Sequence, residues 1–196
     1  MPVSNNSKMI STINPIKTKV EMNKIATAAK SVEIENAGIV IMHPFLKNIF
    51  KATGLMYFDD FKDDNCKQKA VLLLQYLANG EQYIPGYNSP LNKILCGLDV
   101  EDISETVIQL EEAKTKEADE LLEAVITHWT TLQNSSAAML QQTFFQRKGK
   151  LSFDDNEGCW KLQVQREAVD ILLDKIPWGI AYIQLPWMKH PLLTEW

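Results

Sequence analysis

The chain has 196 residues, of which 45% are hydrophobic and 23% charged, and its formal net charge at pH 7 is −5. This composition is typical of a folded globular protein and excludes collagen-like, disulfide-framework and wholly disordered chains. The three cysteines are widely spaced, and no apolar run approaches the roughly 18 residues that a membrane span requires. We therefore expect a cytoplasmic protein with unpaired thiols and no membrane span.

Charge is distributed unevenly along the chain. Residues 1–31 carry five lysines and one glutamate, a net +4, whereas residues 32–196 carry fifteen bases and twenty-four acids, a net −9. The acidic body disfavours binding to nucleic acid, because phosphate groups attract basic surfaces. We predict a flexible basic segment over residues 1–33 and a single folded domain over residues 34–196.

The first two thirds of the predicted domain have helical spacing. Pro44 begins a helix that ends at Gly54, and the preceding stretch Gly38–His43 is either a strand or a separate short helix. The apolar residues that follow predict further helices with a loop over residues 81–90 between the first two. These helices run from Asp63 or Asp64 to Gly80, from Leu91 to Cys96, over residues 104–132, and from Ser135 or Ser136 to Gly149.

Beyond Gly149 the hydrophobic period changes from helical to two. Alternating residues on either side of the turn at 154–158 predict a β-hairpin, residues 167–176 return to helical spacing, and residues 178–185 are a candidate third strand. In the helical stretch, the residues expected to point inward are Val169, Leu172, Leu173 and Ile176. The fold class is thus α+β, mainly α: a helical body followed by a small antiparallel hairpin or three-stranded sheet.

No residue pattern indicates catalysis or metal binding. His43, His128 and His190 lie far apart and lack the close ligand pairs of zinc sites, and the sequence contains no P-loop, G-x-G-x-x-G or G-x-S-x-G motif. We expect no catalytic residue, no cofactor and no metal. Two alternatives stay open: a thiol hydrolase that uses Cys96 with His128 or His43, and a cytosolic adaptor that binds through the acidic helix face at 111–123.

Four of the five tryptophans fall within the last 37 residues. Trp160 and Trp178 are expected to pack the sheet against the helices. Tryptophan is also enriched at interface hot spots, and the C-terminal stretch rich in Trp, Pro and Leu is our candidate partner interface. Its residues are Leu185, Pro186, Trp187 and Trp196.

A series of short strings, in a fixed order, resembles the C-terminal region of the tape measure proteins of contractile injection systems. These systems are phage-tail-like bacterial particles with a sheath, an inner tube and a baseplate. The resemblance covers about residues 34–196. Its strings include N-A-G-I-V-I-M-H-P-F-L-K-N-I-F at 36–50, A-V-L-L-L-Q-Y-L-A-N-G at 70–80, E-A-D-E-L-L-E-A-V-I-T-H-W at 117–129, F-F-Q-R-K-G-K-L at 144–151 and D-I-L-L-D-K-I-P-W-G-I at 170–180.

The resemblance implies a structural assembly protein rather than an enzyme. Its expected partners are the baseplate and inner-tube proteins of the particle, and its expected roles are docking at the baseplate or tube end and control of tube length. The 33 residues before the matching region would reach only about 50 Å even if fully helical, which is too short for a ruler along an extended tube. We therefore expect either one module of a divided protein or a short relative with a docking or initiating role.

Overall fold

A computed structural model describes residues 31–81, 89–102 and 109–196 of the chain. The predicted flexible lead falls almost entirely on residues 1–30, outside these ranges. Most of the predicted loop at 81–90 and the first residues of the predicted helix at 104–132 also lie outside them. The described residues from Val32 to Trp196 form one compact unit.

The domain begins with strand β1 (Ser31–Ile34), a 3-10 helix (Ala37–Phe45) and helix α1 (Leu46–Ala52). The sequence pattern allowed either a strand or a short helix at Gly38–His43. In the structure this stretch is part of the 3-10 helix. Gly38 is required there because a Cβ at this position would overlap the backbone carbonyl of Phe144. The 3-10 helix therefore rests directly on the chain segment that precedes the main sheet.

Four further α-helices follow in the described residues: α2 (Asp64–Asn79), α3 (Pro90–Leu95), α4 (Glu112–His128) and α5 (Ala137–Leu140). Helix α2 has the bounds that its caps predict. The carboxylate of Asp63 accepts a hydrogen bond from the amide of Cys66 at 2.7 Å, and Gly80 ends the helix in the left-handed region at φ 76°.

Two of the predicted helices are shorter than expected. Helix α4 starts only after Glu111, whose extended backbone (ψ 142°) prevents an earlier start within the described residues, and a 3-10 turn (Thr130–Leu132) follows it. The next helix, α5, widens into a π-helical segment (Gln141–Phe145) and stops before Gly149. The buried rings of Phe144 and Phe145 belong to this wider turn.

A short hairpin between α1 and α2 was not predicted. Its strands are β2 (Met56–Tyr57) and β3 (Asp60–Phe61), and Tyr57 pairs with Asp60 across the turn.

The C-terminal sheet has five strands in the order β1-β4-β5-β7-β6. The predicted hairpin is present as β4 (Gly149–Asp154) and β5 (Cys159–Val164). Two further strands complete it: β6 (Tyr182–Ile183) and β7 (Leu192–Glu195). Because β7 pairs parallel with β5, the sheet is mixed, which corrects the prediction of a purely antiparallel sheet.

The predicted third strand at 178–185 is also corrected, since only the two residues of β6 are extended and they pair with β7. The start of that stretch is held elsewhere: the indole N–H of Trp178 donates to the carbonyl of Ile41 at 3.0 Å. This bond fastens residue 178 to the helical body and leaves it outside the sheet.

The helical stretch predicted at 167–176 is a 3-10 helix (Ala168–Lys175). The apolar residues expected to point inward are half-buried against the core. The helix is also fixed by Arg147, which is only 2% exposed and whose guanidinium binds the Asp170 carboxylate at 2.6 Å. The same side chain donates to the carbonyl of Gln165 at 3.3 Å, so one buried cation joins the start of the sheet to this helix.

The fold class is that predicted from the sequence: mainly α, with an α+β arrangement of helical body and sheet. One core of buried apolar residues extends from the 3-10 helix and α1–α4 to the inner face of the sheet. None of the helices in the described ranges is long and apolar enough to cross a membrane.

Candidate functional site: an aromatic groove beside the β2–β3 hairpin

The tip of the β2–β3 hairpin presents two aromatic rings to solvent. Tyr57 is 69% and Phe58 is 73% exposed, and their ring centroids lie 4.4 Å apart in an edge-to-face arrangement. Phe58 has φ 54° and is the only non-glycine residue of the described ranges with a positive φ. A left-handed conformation costs an ordinary residue about 1–2 kcal/mol, so this turn holds an apolar ring outward at a cost in stability.

The hairpin is anchored to the body on two sides. The carboxylate of Asp59 forms ion pairs with Lys47 at 2.7 Å and Lys51 at 3.3 Å, both on α1. Hydrogen bonds from these two lysines lower the pKa of Asp59. On the inner side, the buried ring of Phe61 packs against Phe50, with centroids 5.3 Å apart.

Trp187 forms the opposite wall. Its indole N–H donates to the carbonyl of Leu95 at 2.8 Å, and its half-buried ring lies 5.6 Å from that of Phe61. Gly97 allows this approach because a Cβ there would overlap the carbonyl oxygen of Trp187. The chain just beyond is fixed by an ion pair of 2.6 Å between Lys189 and Asp99.

Between these two walls lies an open groove of about 480 Å³. Its lining combines aromatic rings and a proline with charged groups of both signs. The residues are Tyr57, Phe58, Asp59, Asp60, Lys67, Gly97, Pro186, Trp187 and Lys189.

The charged groups of the groove differ in how they are neutralised. Asp59 and Lys189 have the ion pairs described above, and Lys67 lies 3.4 Å from Asp64. Asp60 accepts a hydrogen bond from the amide of Phe61 and forms no ion pair within the described residues. The groove therefore presents one exposed carboxylate that has no ion-pair partner in the described residues.

The structure separates the four residues of the predicted interface. Pro186 and Trp187 line the groove, and Leu185 lies behind them in the core with 8% of its surface exposed. Trp196 lies at the end of β7, where its carbonyl accepts a hydrogen bond from Arg166 at 2.7 Å. Its indole N–H is buried without a partner in the described residues. Whether these residues contact a partner stays a prediction.

Sequence reasoning missed the two aromatic residues of the hairpin tip. A signal for them exists in hindsight: Tyr57 and Phe58 are adjacent and are followed by Asp59 and Asp60, between the stop at Gly54 and the next helix. The period-two pattern is too short to indicate strands in a six-residue hairpin with only two residues in each strand.

The surroundings of Cys96, His43 and His128 differ from those of a reactive cysteine–histidine pair. Cys96 is fully buried, and burial raises the pKa of its thiol well above the usual range. Burial lowers the pKa of His43, whose Nδ1 lies 3.0 Å from the carbonyl of Val40. The ring of His128 stacks against that of Phe45 at a centroid distance of 6.3 Å. A nucleophilic cysteine needs a lowered pKa, so the surroundings of Cys96 act against this chemistry.

Two other kinds of site considered from the sequence are a metal site and the acidic face of a helix. Among the residues that the structure describes, no three His, Cys, Asp or Glu side chains are grouped as a metal ion would require. The acidic residues of α4, such as Glu117, Glu120 and Glu123, lie exposed on its outer face.

Comparison with protein families places the chain among the components of contractile injection systems. It belongs to the contractile injection system tape measure protein family, whose model matches residues 3–196. The match confirms the resemblance found in the sequence. It also extends over most of the basic segment at residues 1–33. No curated protein and no solved structure gave a significant match.

Proposed function

We propose that this protein is a non-enzymatic structural component of a contractile injection particle and that it docks at the baseplate or tube end. The observation that carries the proposal is the family match over nearly the whole chain. The proposed partners are baseplate and inner-tube proteins, and assembly takes place in the cytoplasm. Control of tube length is the second role that membership of a tape measure family suggests.

The groove supports a docking role. Tyr57 and Phe58 are held outward at the tip of an anchored hairpin, opposite Trp187. Aromatic residues at the rim of a concave surface are typical of protein interfaces, since they contribute large contact areas with few rotatable bonds. The fully buried Cys96 thiol, with its raised pKa, favours a structural role for that residue.

Deletion of the gene tests the proposal directly. Particle preparations from the deletion strain, and from the strain complemented with the wild-type gene, are imaged by negative-stain electron microscopy, and tube lengths are measured. Absent particles would support a role in assembly, whereas tubes of variable length would support a role in length control. Particles of normal number and normal length would overturn the proposal.

Complementation with surface variants tests whether the groove is the docking surface. The double variant Tyr57→Ser/Phe58→Ser removes both exposed rings of the hairpin. The matched control is Ile171→Ser/Tyr182→Ser, which removes two apolar side chains that are 71% and 60% exposed elsewhere on the domain. We expect the control to restore normal particles and the hairpin variant to fail. Equal restoration by both would show that docking uses another surface.

A further inference from the structure

We propose that the groove beside the β2–β3 hairpin binds an extended proline-rich peptide segment that carries a lysine or arginine next to its prolines. This inference rests on the proposed function, because the segment would belong to another protein of the particle. Three properties of the groove lead to it: the lining, the size and the charge.

The lining is suited to proline rings. Tyr57 and Phe58 on one wall face a groove whose other wall is formed by Trp187 and Pro186. Grooves lined by aromatic side chains bind polyproline II segments, since proline rings fit between aromatic rings and the segment is already extended before binding. The hairpin keeps Phe58 exposed in a left-handed conformation, and no ring other than Tyr57 packs against it in the described ranges.

The groove is too small to form the whole interface with a globular protein. A stable interface between globular proteins buries about 1,200–2,000 Å² in total. The groove is lined by nine residues, far fewer than the roughly 20–30 residues that each partner contributes to such an interface. A second copy of this chain would therefore need a larger surface, whereas a few residues of an extended peptide fit.

The charge predicts a basic residue beside the prolines. Asp59, Lys67 and Lys189 already have ion pairs, whereas Asp60 has none in the described part of the chain. A lysine or arginine of the peptide would pair with this carboxylate at the rim. An arginine could also lie over the exposed ring of Tyr57 in a cation–π contact.

Peptide titration tests the proposal with the full-length protein. The probe is the labelled peptide R-P-P-L-P-P-A-P, followed by fluorescence anisotropy and by amide chemical shifts in NMR spectra. Two control peptides have the prolines replaced by alanine or the arginine replaced by glutamate. We expect saturable binding of the first peptide, at least tenfold weaker binding of the alanine peptide, and shifts confined to the groove residues.

Two protein variants locate the contacts. Phe58→Gly removes the ring and suits the left-handed turn, so it should melt no lower than wild type and still bind at least tenfold more weakly. Asp60→Lys should weaken binding of the arginine peptide and favour the glutamate peptide by about two- to fivefold, the range of an exposed ion pair. The control Ile171→Ser should bind as wild type.

Several results would overturn the proposal. These are no saturable binding at millimolar peptide, equal binding of the proline and alanine peptides, or shifts that map away from the hairpin. The outcome is distinguishable from failure of the proposed function. Peptide binding with a normal deletion strain would leave the groove as a peptide site outside the particle, whereas a defective deletion strain without peptide binding would leave the particle role and remove this ligand.

Discussion

The most direct test of how the groove is built is the substitution Gly97→Ala. Gly97 has φ 72°, and a Cβ there would lie well inside 3.0 Å of the carbonyl oxygen of Trp187. Two costs add in this variant. Alanine in the left-handed region costs about 1–2 kcal/mol, and moving the Trp187 backbone to relieve the overlap costs a further 1–3 kcal/mol or so, as for other overpacked sites.

Gly80→Ala provides a matched control. Gly80 has φ 76°, and no atom of the described residues lies within 4 Å of the Cβ position. This variant therefore carries the left-handed strain alone. We expect the free energy of unfolding to fall by about 1–2 kcal/mol for Gly80→Ala and by about 2–5 kcal/mol for Gly97→Ala. At roughly 2–4 °C per kcal/mol for a chain of this size, the melting temperature of Gly97→Ala should lie several degrees below that of the control.

Urea denaturation followed by tryptophan fluorescence measures both free energies, and peptide titration measures the groove. Because Gly97 lines the groove beside Trp187, we expect Gly97→Ala also to weaken binding of the proline-rich peptide, while Gly80→Ala leaves it unchanged. If the two variants lose the same stability, then the close approach of Gly97 to Trp187 is not tight. The account of how this wall is positioned would then be wrong.

Three further predictions concern buried polar groups. Arg147→Met should lower the free energy of unfolding by about 3 kcal/mol, because it leaves Asp170 without its buried cation. Urea denaturation measures this, and adding Asp170→Asn should recover part of the loss, because it removes the unpaired charge and keeps an oxygen that accepts from the Glu167 amide. Burial lowers the pKa of His43, so the folded state favours the neutral ring. The free energy of unfolding should therefore be highest above about pH 6.5, the pKa of histidine in the unfolded chain, and should decrease as the pH falls toward the lower pKa of the folded state. Urea titrations at pH 7.5 and 5.5 measure this decrease, which should be smaller in His43→Gln. Cys96 should react with iodoacetamide only as fast as the domain unfolds, and rapid labelling of the native protein at pH 7 would contradict its burial.

The parts of the fold with local signals could be predicted from the sequence. Helix α2 has its bounds from an aspartate that caps the first turn and a glycine that ends the last, and both act through adjacent backbone groups. The β4–β5 hairpin follows from alternation on either side of a polar turn. In each case the signal and the structure lie within a few residues of each other.

The parts that depend on distant contacts could not be predicted. The parallel pairing of β5 with β7 joins Trp160 to Leu192 and brings no local pattern with it. The residues after Pro177 were expected to form a strand, but the hydrogen bond of Trp178 to Ile41 spans 137 positions and overrides the local preference. Likewise, the need for Gly38 arises only once the 3-10 helix lies against Phe144.

The candidate site was partly accessible from the sequence. Pro186 and Trp187 were identified by the concentration of tryptophan and proline near the C-terminus, and both line the groove. The hairpin tip was missed because turns with positive φ normally use glycine or asparagine, and Phe58 gives no such signal. A search for glycine or asparagine turns does not find a turn that places phenylalanine at a positive φ. Such strained conformations are concentrated at functional sites.

Trp187 also shows that a core role and a surface role are compatible in one side chain. Leu95 is the last residue of α3, so its carbonyl has no partner within the helix, and the indole N–H of Trp187 supplies one. The same half-buried ring lines the groove. Replacing Trp187 by alanine would therefore remove a wall and leave a helix carbonyl without its donor, and a loss of binding could not be assigned to either. Pro186 is exposed on the same wall, and replacing it tests the surface without that ambiguity.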